Sequence, residues 1–215
     1  MHYTSILFDL DGTLLDTLGD LTAAMNRTLT RHGLPERTRQ QMRTALGNGA
    51  RRLMELSVPS GTDSALFETL LAEYNADYAA HCLIETAPYP GVAALLRTLH
   101  TQGRKLAIVS NKPDKAVRAL RADFFADAVQ IAVGETAAIR RKPAPDMLLA
   151  AMEQLGADPD KTVFVGDSEV DIATARAADL PCISVLWGFR DRDVLERAGA
   201  QQFAADIAQL QALLG

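Results

Sequence analysis

Residues 5–13 of this chain read SILFDLDGT, a short apolar run that ends directly in an acidic turn. A run that is apolar on both faces is typical of a buried strand in a parallel sheet. Two further runs have the same form: residues 106–109 end at Ser110, and residues 162–165 end at Gly166-Asp167. The pattern therefore predicts three central strands, each followed by small or polar residues.

Segments with helical spacing of apolar residues separate these runs. They lie at 92–99, 147–155 and 207–214, and two weaker strand candidates lie at 128–133 and 182–186. Alternation of short apolar runs with amphipathic stretches is typical of β-α-β units with right-handed crossovers. We expect an α/β fold, namely a doubly wound, mainly parallel, Rossmann-like sheet.

One long segment interrupts the alternation directly after the first strand. Residues 16–86 have helical periodicity and no convincing strand, which is too long for a loop. Four helices are expected there, over 18–29, 37–46, 50–58 and 66–78. We therefore expect a small helical cap domain at 16–86, and a catalytic core formed by 1–15 and 87–215.

The composition excludes several classes of protein. Of 215 residues, 48% are hydrophobic, which is enough for a real core and argues against disorder. The net charge of −5 gives no footprint for nucleic acid. No apolar run approaches the roughly 20 residues of a membrane helix, and the first residues do not resemble a signal peptide. Two well-separated cysteines suggest free thiols in the cytoplasm, and nothing indicates an oligomeric state.

Chemically active side chains follow the predicted strands. In an open α/β sheet, ligands bind beyond the carboxyl ends of the strands. Asp9 and Asp11 come after the first strand, and in extended backbone they would point to the same side. Two such carboxylates repel each other unless a cation or a shared proton relieves the repulsion.

Further polar groups follow the other strands. Ser110-Asn111-Lys112 follows the predicted strand at 106–109. Asp167 and Asp171 follow the predicted strand at 162–165, and the basic segment 140–143 contains Lys142. A hard cation such as Mg²⁺ prefers carboxylate oxygens and water. This set suits transfer of a phosphoryl group to a carboxylate, in which positioning and charge stabilisation do most of the work.

At these residues the sequence resembles the haloacid dehalogenase superfamily. Its four motifs occur in order, as residues 9–13 (DLDGT), Ser110, Lys142-Pro143 and residues 166–171 (GDSEVD). The resemblance implies that Asp9 is the nucleophile, and that Asp11 protonates the leaving oxygen and later activates water. It also implies phosphoryl-binding and Mg²⁺-binding groups. The phosphoryl-binding groups are Ser110, Lys142 and the backbone amide of Asn111. The Mg²⁺-binding groups are Asp9, the Asp11 backbone carbonyl, Asp167 and, in the outer shell, Asp171.

Within the superfamily, the chain looks like the bacterial phosphoglycolate phosphatases. The similarity rests on residues 47–50 (GNGA), 111–113 (NKP) and Gly188-Phe189. It implies a cytoplasmic, Mg²⁺-dependent phosphatase of a small phosphorylated metabolite, with 2-phosphoglycolate as the expected substrate. Gly49 and Arg51 in the cap are candidate substrate-binding residues, because a guanidinium suits a substrate carboxylate.

Other functions share this fold. Dehalogenation needs no acid for an oxygen leaving group, so Asp11 argues against it. Phosphonate cleavage needs a lysine in the cap, and all five lysines lie outside 16–86. A sugar-phosphate mutase of the β-phosphoglucomutase kind and a broad phosphatase or pyrophosphatase both stay open, since the cap decides what enters. A binding module with an inactive site is disfavoured, because the motif residues are intact.

Overall fold

The structure is a computed structural model that describes residues 2–215. Its strands are β1 Ser5–Phe8, β2 Leu15–Asp16, β3 Ala87–Pro88, β4 Lys105–Pro113, β5 Ile131–Glu135, β6 Thr162–Gly166, β7 Cys182–Val185 and β8 Gln202–Ala204. Its helices are α1 Leu18–Arg31, α2 Arg39–Ala45, α3 Gly49–Ser57, α4 Ser64–His81, α5 Val92–Thr101, α6 Asp114–Phe125, α7 Asp146–Leu155, α8 Glu169–Ala177, α9 Arg192–Arg197 and α10 Ile207–Leu214. None of these helices is long and apolar enough to cross a membrane.

Six strands form one parallel sheet in the order β5-β4-β1-β6-β7-β8. The central strand β1 is paired on both sides, with Phe8 opposite Ile108 of β4 and Val165 of β6. This register sets Phe8, Ile108 and Val165 level with one another across the sheet. The residues that follow Phe8, Ile108 and Val165 therefore reach the same edge of the sheet.

Alternate residues of β1 enter different cores on the two faces of the sheet. Ile6 and Phe8 pack with residues of α5, α6 and α10, whereas Leu7 packs with residues of α7 and α8. Both groups are fully buried, as the period of two in a strand requires when helices cover both faces. The prediction of a doubly wound, mainly parallel sheet is confirmed.

Some boundaries differ from the expected ones. The second long strand does not end before Ser110 but continues to Pro113, with an irregular register against β5 after Val109. The weak candidate at 128–133 is shifted, since β5 covers Ile131–Glu135. The edge strand β8 was not predicted, because its three residues are too few for an apolar alternation to be recognised.

Internal contacts divide the chain into two compact units. The helical unit is Asp16–Ala87, and the sheet unit is the chain up to Leu15 together with Pro88–Gly215. Four helices, α1 to α4, occupy the helical unit where the pattern predicts four. Their starts have local causes: Thr38 and Gln41 form a capping box on α2, and Asp63 accepts two backbone N–H bonds at the start of α4.

Candidate active site

Asp9 is the first residue after β1, and it lies at the carboxyl edge of the sheet. Its backbone N–H donates to the Val165 carbonyl at 2.8 Å, which continues the pairing with β6 by one step. The residue is buried, and its carboxylate faces the Lys142 ammonium at 2.8 Å. Burial, together with the nearby carboxylates of Asp171 and Asp167, raises the pKa of Asp9 well above its usual range, although Lys142 opposes the shift.

Lys142 is the cation of this group and is held in place from both ends. Its Nζ lies 2.7 Å from Asp171 Oδ1 and 2.8 Å from Asp9 Oδ1. Its backbone N–H donates to Asn111 Oδ1 at 2.8 Å, and Asn111 Nδ2 donates back to its carbonyl at 3.0 Å. Burial disfavours its charge, but Asp171 and Asp9 outweigh that effect and raise the pKa of Lys142 above its usual value. The ammonium is therefore fixed beside the Asp9 carboxylate.

The side-chain amide of Asn111 thus has a role that the sequence did not indicate. The resemblance implied that Asn111 contributes a backbone amide to phosphoryl binding. In the structure, the Asn111 side chain closes a reciprocal pair of hydrogen bonds with the Lys142 peptide, 31 residues away along the chain. Asn111 therefore positions Lys142, whatever its backbone amide binds.

Asp167 lies directly after β6 in a pocket that glycines keep open. A Cβ at Gly12 would come within 2.4 Å of the Asp167 carboxylate, and one at Gly188 within 2.5 Å. Asp167 accepts hydrogen bonds from Thr13 Oγ1 at 3.2 Å and from the Phe189 N–H at 2.6 Å. Burial and the nearby Asp171 carboxylate raise the pKa of Asp167 to about 7, against the opposing effect of the Phe189 hydrogen bond.

Asp171 is the third residue of α8 and serves two neighbours. Its Oδ2 accepts from the N–H of Ser168 at 3.1 Å and from the Ser168 hydroxyl at 2.6 Å, which completes a capping box. Its Oδ1 accepts from Lys142. Asp171 therefore stabilises the start of α8 through one oxygen and contacts Lys142 through the other.

Three buried carboxylates converge at this edge. One oxygen each of Asp9, Asp167 and Asp171 lies within 4.8 Å of the others. The Lys142 ammonium forms ion pairs with two of them, Asp9 and Asp171, so the three carboxylates carry more negative charge than this ammonium balances. Hard carboxylate oxygens in a small buried space kept open by glycines fit a divalent cation such as Mg²⁺. The side chain of Asp11 does not belong to this three-carboxylate group.

Asp11 instead pairs with Lys112. The chain turns after Asp9, since the N–H of Leu14 donates to the Leu10 carbonyl, so the extended backbone expected for Asp9 and Asp11 ends at Phe8. Lys112 Nζ lies 2.9 Å from each of the two Asp11 carboxylate oxygens. In the structure the two side chains therefore face different ammonium groups: Asp9 faces Lys142 and Asp11 faces Lys112.

Ser110 and the loop after β7 complete the edge. Ser110 is buried within the irregular end of β4, and its hydroxyl accepts from the Lys112 N–H at 3.4 Å. The Trp187 indole N–H donates to the Thr13 carbonyl at 3.1 Å. Arg190, nearly buried, donates to both carboxylate oxygens of Glu169 at 2.6 and 3.1 Å. Sequence spacing gave no signal for the pairings of Lys112 or Arg190.

The two predicted cap residues lie on α3 of the helical unit. Gly49 is the first residue of the helix and has a φ of 77°, a conformation that favours glycine. Arg51 is exposed and makes a bidentate ion pair with Glu68, at 2.8 and 2.9 Å, with its guanidinium over the Phe67 ring. The Arg51 guanidinium is therefore already paired within its own unit.

Comparisons with known proteins agree with this geometry. A family model described as haloacid dehalogenase-like hydrolase matches residues 6–185. A phosphoglycolate phosphatase of Rhodospirillum rubrum is 34% identical to this chain, with 98% of this chain and 90% of that protein covered. An N-acetylmuramic acid 6-phosphate phosphatase of Pseudomonas aeruginosa is 33% identical, with 88% of this chain and 84% of that protein covered.

A solved structure extends the agreement to the whole fold. The crystal structure of a candidate phosphoglycolate phosphatase from Lactobacillus delbrueckii subsp. bulgaricus is 35% identical, has a TM-score of 0.94, and covers 100% of this chain and 99% of its own. The chain belongs to the haloacid dehalogenase-like hydrolase family. Within that family it is an enzyme of the phosphatase class, and the resemblance seen in the motifs is confirmed.

Proposed function

We propose that the chain is a Mg²⁺-dependent phosphatase that hydrolyses a small phosphomonoester through an aspartyl phosphate on Asp9. The observation that carries this proposal is the placement of Asp9. It is a buried carboxylate at a strand end, 2.8 Å from a fixed ammonium and beside two further buried carboxylates. A nucleophile, a cation for the phosphoryl oxygens and a metal site are thereby combined at one point.

Asp9 and Asp11 divide the covalent work. An Asp9 oxygen attacks phosphorus while the bond to the leaving oxygen breaks, and Asp11 gives that oxygen a proton. In the second half, Asp11 takes a proton from water, the water oxygen attacks phosphorus, and inorganic phosphate leaves with Asp9 restored. Lys142 and the Ser110 hydroxyl donate to the phosphoryl oxygens in both halves.

Asp9, Asp167 and the Asp11 backbone carbonyl would hold Mg²⁺, with Asp171 in its outer shell. When bound, the cation neutralises the carboxylates and the phosphoryl charge that they would otherwise repel. The fit rests on the excess of negative charge at Asp9, Asp167 and Asp171, and on the glycines that leave room around Asp167. Thr13 and the Phe189 N–H orient Asp167 toward that space.

We propose 2-phosphoglycolate as the substrate and the helical unit, Asp16–Ala87, as the cap domain. Support comes from the relatives: one is named for phosphoglycolate and another for N-acetylmuramic acid 6-phosphate. Both compounds join a phosphomonoester to a carboxylate on a small metabolite. A small anionic phosphomonoester is the substrate class that these names share.

A phosphate-release panel tests the proposal. It includes 2-phosphoglycolate, N-acetylmuramic acid 6-phosphate, β-glucose 1-phosphate and pyrophosphate, with Mg²⁺ or with a chelator. We expect Mg²⁺-dependent release that is highest on 2-phosphoglycolate, absent in Asp9→Asn and retained in Asp123→Asn, a control at an exposed aspartate of α6. Even release across the panel would remove the substrate assignment. Formation of glucose 6-phosphate without free phosphate would instead identify a mutase.

A further inference from the structure

Lys112, the ion-pair partner of Asp11, has no place in the mechanism described so far. Lys112 is 6% exposed, and its Nζ lies 2.9 Å from both oxygens of Asp11. The Asp11 side chain is 20% exposed, so it borders open space while its cation does not. The buried ammonium therefore contacts both Asp11 oxygens, while the Asp11 side chain stays partly open to solvent.

Burial of a lysine needs a physical reason, because an ammonium loses much hydration free energy when it leaves water. The chain has five lysines, and only Lys112 and Lys142 are buried; Lys105, Lys115 and Lys161 are exposed. The two buried ammoniums serve different aspartates of the same motif. Lys142 contacts Asp9, the proposed nucleophile, and Lys112 contacts Asp11, the proposed acid and base.

The backbone around Lys112 also fixes this arrangement. The strand β4 continues past Ser110 to Pro113, which carries Lys112 along the same edge as the turn that holds Asp11. The Lys112 N–H donates to the Ser110 hydroxyl at 3.4 Å. Lys112 thus connects a predicted phosphoryl-binding residue to the proposed acid.

We propose that Lys112 is a positioning residue for Asp11. It orients the carboxyl group toward the leaving oxygen, and it stabilises the negative charge that develops on Asp11 as its O–H bond breaks and the leaving group gains the proton. The inference rests on the proposed function. It predicts that Lys112 matters when the leaving group needs a proton and matters little when it does not.

The test compares leaving groups in Lys112→Met, Lys112→Arg and a matched control, Lys115→Met, at an exposed lysine of α6. The substrates are 2-phosphoglycolate, ethyl phosphate and p-nitrophenyl phosphate. The constant compared is kcat/KM, because it reports the steps up to and including departure of the leaving group. The first two substrates release poor alkoxide leaving groups, whereas p-nitrophenolate leaves without a proton. Ethyl phosphate has no carboxylate, so it separates proton delivery from carboxylate recognition.

We expect Lys112→Met to lower kcat/KM about 10- to 100-fold on both alkyl phosphates, mainly through kcat, and less than about 3-fold on p-nitrophenyl phosphate. Arginine should restore part of the loss, since its fork can donate to both Asp11 oxygens. In an Asp11→Asn background, Lys112→Met should add little.

Three results would overturn the inference: equal loss on all three substrates, loss on 2-phosphoglycolate alone, or full additivity with Asp11→Asn. The second would mean that Lys112 binds the substrate carboxylate. Thermal melts accompany every variant, and Lys112→Gln replaces the methionine variant if the latter does not fold, with the same substrate pattern expected. A wild type that hydrolyses none of the three phosphates with Mg²⁺ would overturn the proposed function itself, and the inference with it.

Discussion

Two regions of the molecule bury aspartates in opposite ways. At the edge of the sheet unit, Asp9, Asp167 and Asp171 lie close together, and the Lys142 ammonium pairs with two of them, Asp9 and Asp171. In the helical unit, the side chain of Asp77 is also buried, at 2% exposure, but this single carboxylate accepts hydrogen bonds from two arginines, Arg27 and Arg31. The first group has too few cations for its carboxylates, and the second has more than one cation for a single carboxylate.

The pKa shifts follow the same division. Burial raises the pKa of Asp167 to about 7, whereas hydrogen bonds from Arg27 and then Arg31 lower the pKa of Asp77. A carboxylate with excess donors contributes to stability and has no capacity left for a ligand. A buried cluster with too little positive charge costs stability until a cation binds, which supports our proposal that it is the functional site.

The largest expected effect comes from Asp9→Asn. The substitution removes the proposed nucleophile, and we expect phosphatase activity to fall by at least about 10³-fold. It also removes one charge from a repulsive cluster, so the melting temperature without metal should stay the same or rise. Activity and thermal melts measured on one preparation check both statements. A clear drop in melting temperature would show that Asp9 is structural in the way that Asp77 is.

The second prediction concerns metal and pH at Asp167. Its pKa is about 7 in the folded metal-free protein and about 3.9 in the unfolded chain, so the folded state holds the proton more tightly. Stability from this group is therefore full below about pH 4 and is lost as the pH rises toward 7. Mg²⁺ must displace the proton, so its affinity should fall as the pH drops below 7.

Melting curves at several pH values check these signs. Saturating Mg²⁺ at about 100 times its Kd should add about 2.7 kcal/mol to the free energy of unfolding, and a chelator should abolish both this gain and the activity. Asp167→Asn should remove the gain, while Asp77→Asn should retain it. Equal stabilisation of wild type and Asp167→Asn by Mg²⁺ would place the metal elsewhere.

Much of the sheet edge was predictable because strand ends and motif residues are local features. The run at 5–8 and the acidic turn after it specify a buried strand and the position of Asp9 without any tertiary information. Parallel register then brings Gly166-Asp167 alongside, since Phe8 is opposite Val165. The haloacid dehalogenase resemblance supplied the remaining roles.

The pairings that could not be predicted join residues far apart in the chain. Lys112 and Asp11 are 101 residues apart, and Asn111 and Lys142 are 31 apart. In each case, the residue that a side chain contacts depends on the path of the backbone at the end of a strand. Here β4 continues three residues beyond Ser110 before α6 begins. Sequence periodicity carries no information about such an exit, so the role of Lys112 emerged only from the structure.

The third prediction concerns Asp77→Asn in the helical unit. This substitution weakens hydrogen bonds to Arg27 and Arg31 and should lower the free energy of unfolding by about 1–3 kcal/mol. The lowered pKa gives a sign opposite to that of Asp167: stability from Asp77 is present above about pH 4 and is lost as the pH falls through its folded pKa.

Asp193→Asn is the matched control, because Asp193 forms an exposed i,i+4 pair with Arg197. It should cost less than about 1 kcal/mol, as exposed ion pairs do. Denaturant unfolding of both variants at pH 7 gives the comparison. If Asp77→Asn lowers the free energy of unfolding no more than the control does, then Arg27 and Arg31 are as stable in water as in their pairs with Asp77.

The smallest expected effect is at Arg51, which we propose as a contact for the substrate carboxylate. Its guanidinium already donates to both oxygens of Glu68, so a substrate must compete with that pair or share the guanidinium with it. Exposed ion pairs contribute up to about 1 kcal/mol, so Arg51→Ala should cost at most about 5-fold in kcat/KM on 2-phosphoglycolate and nothing on ethyl phosphate. Arg52→Ala, which breaks the neighbouring exposed pair with Glu55, is the control and should change neither value. Equal loss on the charged and the neutral substrate would assign Arg51 to the packing of α3 against Phe67, and the helical unit would then have to recognise the carboxylate through another residue.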